Sequence, residues 1–163
     1  FEGGDGLKFG DVVIAVASLA VIAMLLMFVL GLIFLPALGF YWGQNVNFIV
    51  SIFLSALISG YIFAEKIWQE ARMETIAKVT VLAAVLVMFD VALSAAIYGD
   101  WTQMAKDMYK EANPGAPEPS TLEWWFIVNM FTTQIIVLNM VLVLVLAFIG
   151  LYIGSMIRRP TKS

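Results

Sequence analysis

The 163-residue chain contains no cysteine and no histidine, and only 13% of its residues are charged. Without cysteine there is neither a disulfide framework nor thiol redox chemistry. The absence of both residue types also excludes the usual zinc sites, a haem held by histidine, and Ser-His or Cys-His nucleophiles. We therefore expect no catalytic residues, no metal site and no cofactor, and a protein that is not an enzyme.

Charged residues are also missing from long stretches of the chain. Hydrophobic residues make up 62% of the sequence, against about 45–50% in soluble domains, so a soluble single domain is excluded. No charged residue occurs from Val12 to Ala64, a run that would be about 80 Å long as one helix and must therefore turn. Pro36, Gly39 and Gly43 supply the expected breaks. The run is too long for the apolar region of a signal peptide, so we expect it to form transmembrane helices.

Two further apolar runs follow. The run from Val79 to Gly99 contains one charged residue, Asp90, and the run from Trp124 to Ile157 contains none. Both exceed the usual length of a buried helix in a soluble protein. The predicted fold class is an all-α integral membrane protein, a single transmembrane domain in which four helices form an antiparallel bundle. The predicted spans are approximately 12–35, 45–64, 79–99 and 126–157.

Lysine and arginine are distributed unequally over the two sides of this predicted bundle. Two of the nine, Lys106 and Lys110, fall in the loop 100–123, and the other seven fall at the termini and in the loop 65–78. Because cytoplasmic loops carry an excess of these residues, we expect a multi-pass protein of the cell membrane with both termini cytoplasmic. Tryptophan is expected at both interfaces, and the predicted belt consists of Trp42, Trp101, Trp124 and Trp125 outside and Trp68 inside.

The outer loop 100–123 contains an amphipathic segment. Apolar residues recur there at helical spacing, which predicts a short helix over 101–112. A proline-rich stretch, 113–119, then ends the helix. We expect this helix to lie in the headgroup region or, alternatively, to act as a lid or docking element for a partner outside the membrane. The residues predicted to be interfacial are Trp101, Met104, Met108 and Tyr109.

Small and polar residues recur every four positions on two of the predicted helices. In a membrane such residues mark helix contacts, because lipid removes the hydrophobic drive for association between helices. On the second helix, Asn47 begins a row of serines, and a row of small residues runs beside it. The predicted packing residues are Ser59, Ala56, Gly60 and Ala64 on the second helix and the GxxxG pair Gly150 and Gly154 on the fourth.

Asp90 is the one acidic residue within the predicted spans and lies near mid-bilayer. We expect it to face protein rather than lipid, because its side of the helix is shared by Thr80, Ala83, Val87 and Ser94. An aspartate at this depth costs about 2.5–3.5 kcal/mol on the insertion scale, so hydrogen-bonding groups should surround it. Depth matching predicts an intramembrane polar cluster of Asp90 with Ser51, Ser55, Thr132 and Thr133, and with Asn129 and Asn139 at its margins.

Three roles are open for the Asp90 carboxyl group. No Lys or Arg lies within a predicted span, and an unpaired carboxyl group in lipid favours the neutral form, which donates a hydrogen bond. The group is alternatively a proton or cation site, or it pairs with a basic residue of a partner subunit. A membrane aspartyl protease needs two acidic residues that share a proton, and the spans contain one.

These observations predict a non-catalytic membrane protein. Our first hypothesis is an accessory or assembly subunit of a larger membrane complex, in contact with membrane lipids and with other membrane subunits or copies of itself. The alternative is a small homo-oligomeric transporter or channel in which Asp90 binds a proton or cation. The basic residues form no patch suited to nucleic acid, because their runs are short and lie at predicted membrane boundaries.

Overall fold

The computed structural model describes residues 9–69, 72–98 and 100–158. Nearly all of these residues are helical, and no strand occurs among them, so the predicted all-α class is confirmed. The helices in chain order are α1 Phe9–Leu38, α2 Phe40–Ile62, α3 Ala64–Gln69, α4 Arg72–Tyr98, α5 Asp100–Ala112 and α6 Thr121–Ile157.

Within the described ranges, three helical segments are long and apolar enough to cross a membrane. They are Gly10–Leu38, Trp42–Ile62 and Thr121–Ile157, and they overlap three of the predicted spans. The 37 residues of α6 extend about 55 Å, well beyond a hydrocarbon core of about 30 Å. Three apolar helices of this length are typical of a membrane-embedded protein. The remaining predicted span, 79–99, falls on α4, and its crossing of the membrane stays a prediction.

The turn between α1 and α2 is tighter than the sequence suggests. Pro36 lies inside α1 and Gly43 inside α2, so the expectation that both residues break helices is wrong. Proline is tolerated in membrane helices, and here it lies in the last turn, where few backbone bonds follow it. The single residue between the helices is Gly39, whose φ of 77° belongs to the region that favours glycine. Gly43 permits close approach instead, because a Cβ atom there would come 2.7 Å from the Phe34 carbonyl oxygen.

The chain divides into two compact units, residues 1–84 with 142–163, and residues 85–141. Both α4 and α6 contribute one segment to each unit. The first unit has a core of apolar side chains from α1, α2, α3, the first half of α4 and the last turns of α6. Among its buried members are Val16, Leu19, Ile52, Ile67, Ile76, Val79, Val143 and Leu151. The second unit contains α5, the segment that follows it and the first turns of α6.

Candidate functional site

In the first unit, α2 and α6 meet along a face made of small residues, which we call the α2–α6 seam and define as Ala56, Gly60, Gly150 and Gly154. A Cβ atom on Gly60 would come 2.5 Å from the Leu151 carbonyl oxygen, and one on Gly150 would come 2.7 Å from the Ala56 Cβ. Distances this short leave no room for a side chain. The two backbones are therefore in direct contact, as the small-xxx-small arrangement allows. Ala64, which continues the small row on α2, is fully buried at the start of α3.

The serine row of α2 lies fully buried in the same unit. The Ser51 hydroxyl donates to the Asn47 side-chain oxygen at 3.2 Å, and the Ser55 hydroxyl donates to the Ile52 carbonyl at 2.9 Å. The Ser59 hydroxyl has no hydrogen-bond partner in the part of the chain that the structure describes. Two of the three hydroxyls are thus satisfied by α2 itself, and their small size fits a close helix contact.

A polar contact joins α1 to α2. The Asn47 amide donates a hydrogen bond to the Met27 carbonyl of α1 at 2.9 Å. Gly31 makes room for it, because a Cβ atom at that position would lie 3.2 Å from the same amide nitrogen. A side-chain bond to the backbone of a neighbouring helix fixes the rotation and depth of one helix relative to the other.

Charged and aromatic side chains hold the predicted inner end of the first unit together. Lys66 pairs with Asp11, and Arg158 pairs with Glu65 at 3.3 Å. The Trp68 indole nitrogen donates to the Ser155 carbonyl near the end of α6 at 2.7 Å. These contacts connect the start of α1 and the last turns of α6 to α3. The ion pairs are exposed and each contributes little, whereas the half-buried Trp68 contact also removes apolar area from water.

A further exposed pair lies within the first turns of α4. Lys78 lies 2.6 Å from Glu74, four residues earlier on the same helix. The Lys78 hydrogen bond and its charge hold the pKa of Glu74 below the ordinary value. Lys8, Arg159 and Lys162, which also entered the predicted charge asymmetry, lie outside the described residues, as does the side chain of Arg72.

In the second unit, α5 packs against the start of α6 through aromatic rings. The rings of Tyr109 and Trp124 meet edge to face, with centroids 5.3 Å apart, and the Lys106 ammonium lies 5.5 Å from the Trp124 centroid. Ala105 is buried and Tyr109 half-buried, whereas Met104 and Met108 are exposed. Of the helix face predicted to be interfacial, Tyr109 therefore packs against α6, whereas Met104 and Met108 remain exposed. The side chain of Trp101 lies outside the described residues.

A helix-capping feature that the sequence analysis missed begins α6. The Ser120 backbone N–H and hydroxyl both donate to a Glu123 carboxylate oxygen at 2.7 Å, and the Glu123 N–H donates back to the Ser120 hydroxyl at 3.4 Å. This reciprocal arrangement is a capping box. The signal was available as Ser120-Thr121-Leu122-Glu123 immediately before an apolar run. It fixes the start of α6 five residues before the predicted span.

The polar residues of α6 are bonded mainly within their own helix. The Thr132 hydroxyl donates to the Val128 carbonyl at 2.9 Å, and the Asn139 amide donates to the Ile135 carbonyl at 2.9 Å. In the same way, the Asn129 amide donates to the Trp125 carbonyl at 2.7 Å, and Thr133 is exposed. These residues and Asp90 belong to the second unit, whereas Ser51 and Ser55 belong to the first. The intramembrane cluster therefore stays a prediction.

Asp90 is exposed within the chain, and the expectation that it faces protein rather than lipid stays a prediction. Thr80 and Ala83, about three and about two turns earlier on its side of α4, are buried in the first unit. Phe89 and Leu86, which precede Asp90 on α4, are exposed apolar side chains. Among the described residues, no group of acidic side chains is placed to hold a metal ion.

Comparison of the chain with protein-family models, with curated proteins and with solved structures gives no match.

Proposed function

We propose that this chain is a non-catalytic accessory or assembly subunit of a larger membrane complex. The observation that carries the proposal is the exposed carboxyl group of Asp90 on an otherwise apolar part of α4. Ionisable side chains within a membrane face protein or a water-filled cavity, because contact with lipid is costly. If the helices of a subunit do not enclose its mid-membrane carboxyl group, another protein must cover that group.

The proposal includes a four-span topology in the cell membrane. In it α4 is the third crossing, all four spans are antiparallel, both termini are cytoplasmic and α5 lies at the outer interface. Lys66, Lys78 and Arg158 then lie on the inner side, with Lys106 and Lys110 outside, which agrees with the preference of basic residues for the cytoplasm. Helix α4 is long enough for a crossing, because its 27 residues extend about 40 Å.

Contacts between and within the helices support a structural role. In the first unit, the α2–α6 seam holds two backbones in contact, and Asn47 joins α2 to α1. Ser55, Thr132 and Asn139 each donate a hydrogen bond to a backbone carbonyl of their own helix. Such an arrangement makes a rigid scaffold, which suits a protein that positions other membrane helices.

The test is extraction of the tagged full-length chain from its own membrane in a mild detergent, followed by measurement of particle mass and composition. We expect a particle that contains other membrane proteins in fixed stoichiometry and survives exchange between two detergents. A chain that leaves the membrane alone, at the mass of one copy plus its micelle, would contradict the proposal.

The second candidate function is a homo-oligomeric transporter or channel. The same exposure of Asp90 favours it, because symmetric copies of an outward-facing carboxyl group would line a shared axis. The discriminating measurement is proton or sodium flux into liposomes that contain the parent protein or Asp90→Asn. Flux that depends on Asp90 supports transport, whereas absent or equal flux in both proteins rules it out.

A further inference from the structure

On the basis of the proposed subunit function, we propose that the face of α4 around Asp90 binds a transmembrane helix of a different protein, and that this helix carries a lysine or arginine near mid-membrane. We call this face the Asp90 face and define it as Leu86, Phe89, Asp90 and Leu93.

The Asp90 face is one continuous stripe. Its members are spaced at i, i+3, i+4 and i+7, which places them within an arc of about 100° on a helix. Leu86 is 48% exposed, Phe89 is 64% exposed and Leu93 is 47% exposed, and Asp90 is exposed among them. All four belong to the second unit. Three large apolar side chains and one carboxyl group thus form a surface of the size and pattern that a helix presents to another helix.

The earlier turns of α4 show what a covered face of this helix looks like. Thr80, Ala83 and Ala84 are buried in the first unit and have small or short side chains. The Asp90 face instead carries leucine and phenylalanine, which would suit lipid if the carboxyl group were absent. The carboxyl group is the feature that lipid does not satisfy.

The charge of the Asp90 carboxyl group indicates which kind of helix would bind the Asp90 face. A carboxyl group at this depth is stabilised most by an opposite charge or a strong hydrogen-bond donor, because the surrounding dielectric is low. The chain offers no such cation at this level, since no Lys or Arg occurs from Val79 to Ala105 or within the other apolar runs. A second copy would therefore bring another carboxyl group to the same depth. The complementary charge must come from a different chain.

The binding test uses a defined probe in liposomes. The probe is a synthetic polyleucine transmembrane helix with one central lysine, and the control peptide has leucine at that position. The parent has no cysteine, so Glu111→Cys in the outer loop gives a single site for a fluorophore, and energy transfer reports association with the labelled peptide. We expect the lysine peptide to associate about three- to tenfold more strongly than the leucine peptide, the range of polar contacts between membrane helices.

Three substitutions in the labelled protein test whether the preference for lysine depends on Asp90. Asp90→Asn should abolish the preference for lysine, whereas Asp90→Glu, which retains the charge, should preserve it. Asp107→Asn removes an exposed carboxyl group from α5 and should leave the preference unchanged. Equal association of the two peptides with the parent, or an undiminished preference in Asp90→Asn, would overturn the proposed pairing.

A second measurement tests for a second copy on the same face. Phe89→Cys is oxidised in the membrane in which the chain is expressed, and a disulfide-linked homodimer at high yield would show that another copy occupies the face. That result would also overturn the pairing with a different protein. If either experiment overturns the pairing while the chain still purifies with other membrane proteins, the subunit function remains supported. A chain that purifies alone removes the subunit function itself.

Discussion

Gly154 of α6 lies directly against Leu57 of α2, so that a Cβ atom on residue 154 would overlap the Leu57 carbonyl oxygen and come 2.9 Å from its carbonyl carbon. The same added Cβ atom would also come 2.9 Å from the backbone nitrogen of Tyr61. Contact between two backbones maximises dispersion attraction between helices, which is the main source of association in lipid. The α2–α6 seam is therefore sensitive to added volume.

Gly154→Ala should destabilise the folded protein by about 1–3 kcal/mol, because the added methyl group meets backbone rather than a movable side chain. The measurement is unfolding of the purified full chain in mixed micelles by a denaturing detergent. Gly10→Ala is the matched control, since a Cβ atom there meets nothing within 4 Å. A loss of stability as large in the control as in Gly154→Ala would show that the effect is not due to the seam.

Asn47→Leu should weaken the contact between α1 and α2, because it removes the hydrogen bond to the Met27 carbonyl. The expected loss is about 0.6–1.7 kcal/mol in the same unfolding measurement. Asn139→Leu is the control, because its amide is also half-buried but bonds to its own helix. Equal stability of Asn47→Leu and the parent would mean that the bond between the helices contributes nothing measurable.

Ser120→Ala should loosen the start of α6, because both bonds of the Ser120 hydroxyl to Glu123 are lost, while the bond from the residue 120 backbone N–H to the Glu123 carboxylate remains possible. A cap of this kind contributes about 1 kcal/mol. Amide hydrogen exchange of the first turn of α6 should accordingly become about fivefold faster. Thr121→Ala, one position further on, should change exchange much less, and a comparable increase there would argue against the cap.

The proposed topology places residues 73 and 111 on opposite sides of the membrane. Both Met73 and Glu111 are exposed, and the chain has no native cysteine to interfere. In intact cells, a membrane-impermeant maleimide should label Glu111→Cys and should label Met73→Cys only after permeabilisation. Labelling of both variants from the same side would show that α4 does not cross the membrane.

The helical character of the chain was predictable because apolar runs of this length form helices in lipid. The spacing of Ala56, Gly60, Gly150 and Gly154 indicated packing faces, and the structure places these residues at one crossing. The length of the turn between α1 and α2 was not predictable from its residue types. Gly39 alone turns the chain, because Pro36 is accommodated in the last turn of α1 and Gly43 serves a close approach.

The environment of Asp90 could not be read from the sequence either. Counting residues gives the depth of a side chain in the membrane, and helical periodicity gives its direction only relative to its own helix. Thr80 and Ala83 are buried whereas Asp90, on the same side of α4, is exposed, so a shared helix side did not give a shared environment. Hydroxyl groups add to the ambiguity, because those of Ser55 and Thr132 can donate to backbone carbonyls of their own helices.

The proposed role in supporting the assembly of other membrane proteins can be tested by deleting the chain in its own cell and measuring the amounts of the membrane proteins that purify with it. These proteins should decrease together, their complex should become smaller or disappear, and re-expression of the full chain should restore both. Unchanged amounts of these proteins, in a complex that retains its size and composition without the chain, would contradict it.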